Sequence, residues 1–316
     1  MKPPADRVGA NARGIFWSLA AVGLFALIYL SGRLTGDVAA ALQIVWLRFV
    51  GGTVVMTLWV AASTQPRQLI ATPRWPVHAV RALAGGAGGA CAIHAATHLP
   101  VVTSSAIGLL EGVFSVALGI LLLRERVAPA QWLGGGLCLG GAAVIVFSRT
   151  PLPPAAAGNA GAALAGLAGA LLVSLEIILI KTLARRERAA TVLFYVNLFG
   201  ALILTVPAML AWRPIPVELI AAFLCLGPLA LLGQTCNLIA LRHADVALLA
   251  PVRYSWILFG ALFGYLLFGE RPGAPTWIGG AMIIASGLWL ASLRPLPGQP
   301  PRQPPRQGPP DVTSPR

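Results

Sequence analysis

Ten long apolar stretches separated by short polar breaks decide what this chain can fold into. They cover approximately residues 15–33, 38–62, 76–97, 101–123, 129–148, 161–183, 190–212, 217–240, 246–268 and 275–293. About 20 apolar helical residues span a bilayer core some 30 Å thick, so each stretch reads as a membrane-spanning helix. The gap at Leu99 and Pro100 makes the third and fourth an antiparallel pair. The stretches are continuously apolar rather than alternating, which favours helices over a barrel. Composition agrees: 57% of the 316 residues are hydrophobic, 10% are charged, and the mean hydropathy is +0.78. Soluble domains carry about a quarter charged residues, so a cytoplasmic enzyme is excluded. The fold class expected is an all-α membrane protein.

The formal net charge of +13 suggests nucleic acid at first sight. A nucleic-acid binder gathers its cations on one solvated face, whereas these lie scattered between apolar runs. Counted by loop, they record orientation instead, because cations are retained on the cytoplasmic side of short loops. With the N-terminus inside, seventeen Lys and Arg fall in inner segments, Arg81 near the start of the third span among them. Four fall outside (Arg33, Arg149, Arg213, Arg271), and Arg48 and Arg253 lie within spans. Both termini are expected in the cytoplasm. A cleaved signal peptide over the first stretch would flip the first loop and is not favoured.

Residues 149–160, RTPLPPAAAGNA, hold three prolines and cannot be a membrane helix; they divide the spans five and five. The reading is a cytoplasmic segment 1–14, a five-helix repeat 15–148, a linker 149–160, a second repeat 161–293, and a Pro-rich cytoplasmic tail 294–316 expected to be disordered. The halves end alike, LLLRERVAPAQWLGGG from Leu121 against LLFGERPGAPTWIGG from Leu266. An odd number of spans per repeat forces the copies into opposite orientations, giving two inverted repeats, an arrangement many secondary transporters use to alternate access to a midplane site. Glu125 and Glu270 mark the repeat, and a helix cap or interfacial salt bridge that fixes the next helix is their plainer role. Glycine clusters at 85–90 and 134–141, with Gly260, Gly264, Gly279 and Gly280, suit close helix approach. The four cysteines lie inside spans as small packing residues, without zinc spacing.

At this point the sequence resembles the drug/metabolite transporter superfamily, in the branch carrying two EamA-type repeats. The matching pieces are IVWLRF in the second span, HAATHLP closing the third, LLEGVF and LLLRERV around the fourth, KTLARRER after the sixth, and LAPVRYSWILFGALFGYLLFGERP through the ninth. The resemblance implies a ten-helix inner-membrane carrier of small organic metabolites, with a cavity formed mainly by the first four helices of each half. Within the group the Pro-x-Arg-Tyr-Ser and Gly-Glu-Arg-Pro pattern is most similar to carriers of amino acids, S-adenosylmethionine-like compounds or riboflavin. Relatives often have Pro after the glutamate of the fourth helix; here Gly112 stands there, which puts a helix break at that point in doubt.

Ionisable side chains near a helix centre cost about 2.5–3.5 kcal/mol by insertion scales and turn to a cavity or a partner. Arg48, Glu111, Glu176 and Arg253 are the four clear cases, and they sum to zero charge. Either arginine suits a carboxylate and either glutamate an ammonium group or a proton; Arg–Glu pairs fastening helices, or Arg48 snorkelling to the interface, are the alternatives. His94 and His98, spaced i, i+4, share a helix face; they lack the further ligands a metal needs, leaving a cavity or helix-contact role, or titration of His94 during a cycle. Gln234 and Asn237 either line the cavity or bond to a neighbouring helix. Tyr254, with Trp17, Trp46 and Trp256, could wall a planar substrate or anchor at the interface. Tyr254 and Arg253 follow Pro251, which makes an irregular turn there plausible. No catalytic or metal-ligating set and no cofactor is expected. The partners expected are a small-molecule substrate and membrane lipid, with no nucleic acid and with a homodimer left open. A non-transporting membrane subunit or a channel is the alternative to a carrier.

Overall fold

The structure is a computed structural model and describes residues 4–35, 38–99, 101–148, 160–269 and 271–293. The linker at 149–159, Glu270 and the tail from 294 lie outside the described residues. Among the described residues there are helices and no strand, as a chain in lipid requires when every backbone polar group must be satisfied within its own segment. The helices are α1 (Pro4–Thr35), α2 (Ala41–Ala61), α3 (Pro66–Ile70), α4 (Trp75–His98), α5 (Val101–Leu123), α6 (Pro129–Ser148), α7 (Ala160–Arg186), α8 (Ala189–Leu210), α9 (Val217–His243), α10 (Val246–Arg253), α11 (Trp256–Phe268) and α12 (Ala274–Ser292).

Most apolar stretches become helices close to their expected bounds, but α1 begins at Pro4, inside the expected cytoplasmic segment 1–14. Nine segments among the described residues are long and apolar enough to cross a membrane, with α10 and α11 together forming one of them. The third stretch is helical as α4, 24 residues long, but is not among the nine. Its sequence explains this: His78, Arg81, His94, His98 and four glycines dilute its apolar content. The short α3 was not anticipated; Pro66 opens it at the first helical position, where a missing N–H costs nothing.

The expected irregular turn in the ninth stretch is present. Helix α10 ends at Arg253, Tyr254 and Ser255 form a turn, and α11 begins at Trp256. Pro251 cannot donate to the helical ladder, and its carbonyl instead accepts from the Cys138 thiol at 3.0 Å and from the Tyr254 N–H at 3.1 Å. By contrast α5 runs unbroken through Gly112.

Each first-half helix finds its main neighbour in the second half. Helix α1 packs on α9 and α4 on α7; α2 lies against both α8 and α9, α5 against α7, and α6 against α12. Close approach carries several of these contacts: a Cβ on Gly141 would meet the Gly279 carbonyl oxygen at 2.6 Å, and one on Gly279 would meet Gly141 in turn. The largest buried cluster joins α7, α9 and α10 through Ile177, Leu183, Leu238, Leu241, Leu248 and Leu249. Large apolar side chains stand on the outside, Leu210 at 84% exposure and Trp277 at 70%, as a lipid-facing surface requires.

Arg124 and Gly269 occupy the same place in the repeated LLLRER and LLFGER segments. Both adopt left-handed backbone, φ 53° and 67°, just past the ends of α5 and α11. The two halves therefore terminate equivalent helices with the same turn.

A charged interior linking the two halves

Glu111 of α5 and Arg253 at the end of α10 form an ion pair, with the Arg253 Nη2 donating to the Glu111 Oε1 at 2.8 Å. Their side chains are 29% and 32% exposed, so the pair lines accessible space rather than a dry contact. Tyr254 sits beside them but is buried. Its hydroxyl donates to the Leu109 carbonyl at 2.6 Å and stands where a Cβ on Gly112 would be. Its polar end is thus engaged in fastening the turn after α10 to α5, which weighs against the aromatic-wall alternative for this residue.

Glu176 of α7 pairs with Arg81 of α4, N to O 3.6 Å. Its carboxylate lies over Gly85, where a Cβ would meet Oε2 at 2.5 Å. Glu176 also feels the charges of Arg253, Glu111 and Arg48. Arg48 of α2 has its guanidinium 4.3 Å from the Phe49 ring centroid. Glu111 with Arg253 and Glu176 with Arg81 are thus two ion pairs, each joining a first-half helix to a second-half one.

The count changes by one. Arg81, expected among the inner-segment cations, has a side chain only 5% exposed and pairs with Glu176 in the interior. Helical geometry is the reason: with 3.6 residues per turn, Arg81 falls on the same face of α4 as Gly85 and Gly88, the face that packs against α7. The clue in the sequence was that Arg81 lies inside the apolar stretch, with a glycine four residues on.

A small cavity of about 10 Å³, roughly the size of one water, adjoins the ion pair; Ser18 of α1, Ser115 of α5, Asn237 of α9 and Arg253 form its polar lining. Asn237 thus takes the cavity position. Gln234, one turn earlier, accepts from the Asn197 amide of α8 at 3.1 Å and takes the helix-bonding role. His94 and His98 stack on each other at 4.2 Å between centroids and are exposed. They lie about 20 Å or more along α4 from Arg81, so they do not meet its ion pair with Glu176. No group of three or more metal-ligating side chains occurs among the described residues.

Sequence reasoning also missed a polar network where the ends of α5, α7, α9 and α10 meet. Glu125, 8% exposed, accepts from the Val246 N–H at 3.1 Å and the Ala247 N–H at 3.0 Å, so it caps α10 in the other half rather than fixing the next helix in its own. Carboxylates favour helix N-termini, where unpaired N–H groups and the helix dipole converge. Beside it Lys181, 1% exposed, donates to the Ala244 carbonyl and lies 3.6 Å from the Asp245 carboxylate. Arg242 donates to the Ala184 and Glu187 carbonyls at 2.9 and 3.0 Å. Burial, and next the charge of Asp245, raise the Glu125 carboxyl above its ordinary value; Lys181 and the two N–H groups only partly offset this.

Comparison with known proteins identifies the family. The EamA-like transporter family matches residues 12–147 and 160–292, once in each half. A pseudopaline exporter of Pseudomonas aeruginosa is 27% identical over 251 residues, covering 78% of this chain and 84% of the exporter. A riboflavin transporter of Rhizobium johnstonii is 30% identical over 56% of this chain and 57% of its own. An S-adenosylmethionine uptake transporter of Rickettsia prowazekii is 23% identical over 90% of this chain and 94% of its own. A crystal structure, 22% identical, superposes with a TM-score of 0.71 over 88% of this chain and 96% of that one, which speaks for the fold alone. With both halves matched, the chain belongs to the EamA-like transporter family and is a multi-pass membrane protein.

Proposed function

We propose that the protein is a secondary carrier that moves a small organic metabolite across the bacterial inner membrane by alternating access between two inverted five-helix halves, with both termini in the cytoplasm. The observation that carries this reading is the Glu111–Arg253 pair, which joins the halves inside the apolar region while a third of each side chain stays accessible. Spanning charges are usually turned to substrate or ion pathways. The pair offers a guanidinium fork to a carboxylate and a carboxylate to an ammonium group. An amino acid, an S-adenosylmethionine-like compound or a riboflavin-like compound is the substrate range, the last two in keeping with the names of two relatives.

Closure at the Glu125 end and opening at the other give the two states. In the proposed orientation Glu125, Lys181 and Arg242 lie at the cytoplasmic face, and inward opening requires α10 to leave the Glu125 carboxylate. The test is counterflow in vesicles holding the purified full chain, preloaded in turn with each substrate class. Saturable exchange is expected from the wild type, with Glu111→Gln and Arg253→Ala each lowering the initial rate at least about tenfold, the loss of one charge-assisted contact. No exchange with any class, or non-saturating flux, would overturn the reading.

A further inference from the structure

We infer that Ser115 is a positioning residue for Arg253, acting through one water held in the cavity beside the guanidinium. The inference deepens the carrier reading and rests on it, because Arg253 is the group offered there to the substrate.

Size and polarity of the cavity together select its occupant. It measures about 10 Å³, room for about one water and for nothing larger. Cavities that stay empty are apolar, whereas Ser18, Ser115, Asn237 and Arg253 all line this one. Ser115 supplies the clearest demand. It is 1% exposed, and its hydroxyl has no partner among the described residues. A buried hydroxyl left unbonded is destabilising and calls for a partner.

Helix α5 presents three features to the end of α10. Glu111 accepts from the Arg253 Nη2, Gly112 gives room to the Tyr254 hydroxyl, and Ser115 borders the cavity. Ser115 lies one turn beyond Glu111 and so on the same helix face. Arg253 has further N–H donors besides the one given to Glu111. A water in the cavity can accept from one of these and from the Asn237 amide while donating to the Ser115 and Ser18 hydroxyl oxygens, within the usual complement of about two to four bonds. Those partners come from α1, α5, α9 and α10, so the water ties helices of both halves. Arg253 is then held from two sides, directly by Glu111 and through water by Ser115, and a bridging water is nearly as good enthalpically as a direct bond. The rest of the wall, from Ile177 to Leu249 and Ala250, is apolar and strengthens the bonds the water makes. An anion is disfavoured, because the guanidinium already faces the Glu111 carboxylate.

Melting temperatures of the full-length protein in detergent, measured without substrate, test the shared water. Ser115→Ala and Asn237→Ala are each expected to lower the melting temperature, and the double variant by clearly less than the two losses added, since both act on the same water. Strictly additive losses, or no loss in either single variant, overturn the bridge. A crystallographic map of the wild type fine enough to show waters is expected to hold one peak within hydrogen-bonding reach of Ser115 and Arg253. An empty cavity, or anomalous signal there from crystals grown in bromide, overturns it as well. Counterflow, run with the substrate class that the wild type exchanges, reads the positioning. Ser115→Ala should raise half-saturation about tenfold at a nearly unchanged maximal rate, the loss of one bond to a charged group, and Ser115→Thr, which keeps the hydroxyl, should stay close to wild type. Unchanged half-saturation in Ser115→Ala removes the positioning role and leaves the carrier. The density peak and the non-additive melting losses without any wild-type exchange remove the carrier and leave a water-held Arg253.

Discussion

An added Cβ at Gly112 would run into the Tyr254 hydroxyl, so the two positions are a matched pair across 142 residues of chain. Gly112→Ala is expected to destabilise the protein by about 1–3 kcal/mol, the usual cost of overpacking. Tyr254→Phe removes the obstructing oxygen along with its bond to Leu109, and the double variant should be more stable than the two single losses added together. Melting temperatures of the three variants measure this coupling, and strict additivity would refute it. Glu111, Glu176 and Arg253 were legible in the sequence because a charge inside an apolar run has few innocent explanations. Arg81 was not, since a cation near the start of a span is indistinguishable by position from one at the interface; only the face of α4 that meets α7 separates the two.

Helix ends show how much the repeat determines. Arg124 holds a left-handed conformation that costs a residue with a Cβ about 1–2 kcal/mol, and the second half places Gly269 at the matching position. Arg124→Gly, borrowing the residue of the other repeat, should therefore stabilise the protein by about 1 kcal/mol in thermal or denaturant unfolding; a loss of stability would mean that the Arg124 side chain contributes more than the backbone costs. The next residue, Glu125, gives a pH signature. Its carboxyl is raised in the folded state, so its contribution to stability is fully present below the ordinary carboxylate range and is lost as pH rises through the raised folded value. Glu125→Gln should remove that segment of the pH–stability curve and loosen α10, because the amide NH2 that replaces one carboxylate oxygen cannot accept from the backbone N–H it would face. A stability curve unchanged in shape would contradict this. The repeated Glu-Arg was visible in the sequence, and a capping role was among its readings, but the helix it caps could not be named: its target lies 121 residues away, and nothing local encodes that distance.

At the scale of the whole molecule, the helices were readable one by one while their partnership was not. Apolar length fixes which segments cross, but in lipid no hydrophobic force selects neighbours, and packing of small residues does so instead. The outcome is two halves that interleave. A chain cut within the 149–160 linker and expressed as two pieces is expected to accumulate in membranes only when both are co-expressed; stable accumulation of the first piece alone would show that it forms a sufficient core by itself. Interleaving also has a consequence for biogenesis. Arg253 is made 142 residues after Glu111, which at about 5–20 residues per second is a delay of roughly 7–28 s. During that interval the nascent fourth span waits in or near the insertion machinery without its cation. The charge that later serves the finished protein is then a liability on the order of 3 kcal/mol, and slow translation between Glu111 and Arg253 is the stage at which this chain is most open to quality-control proteases.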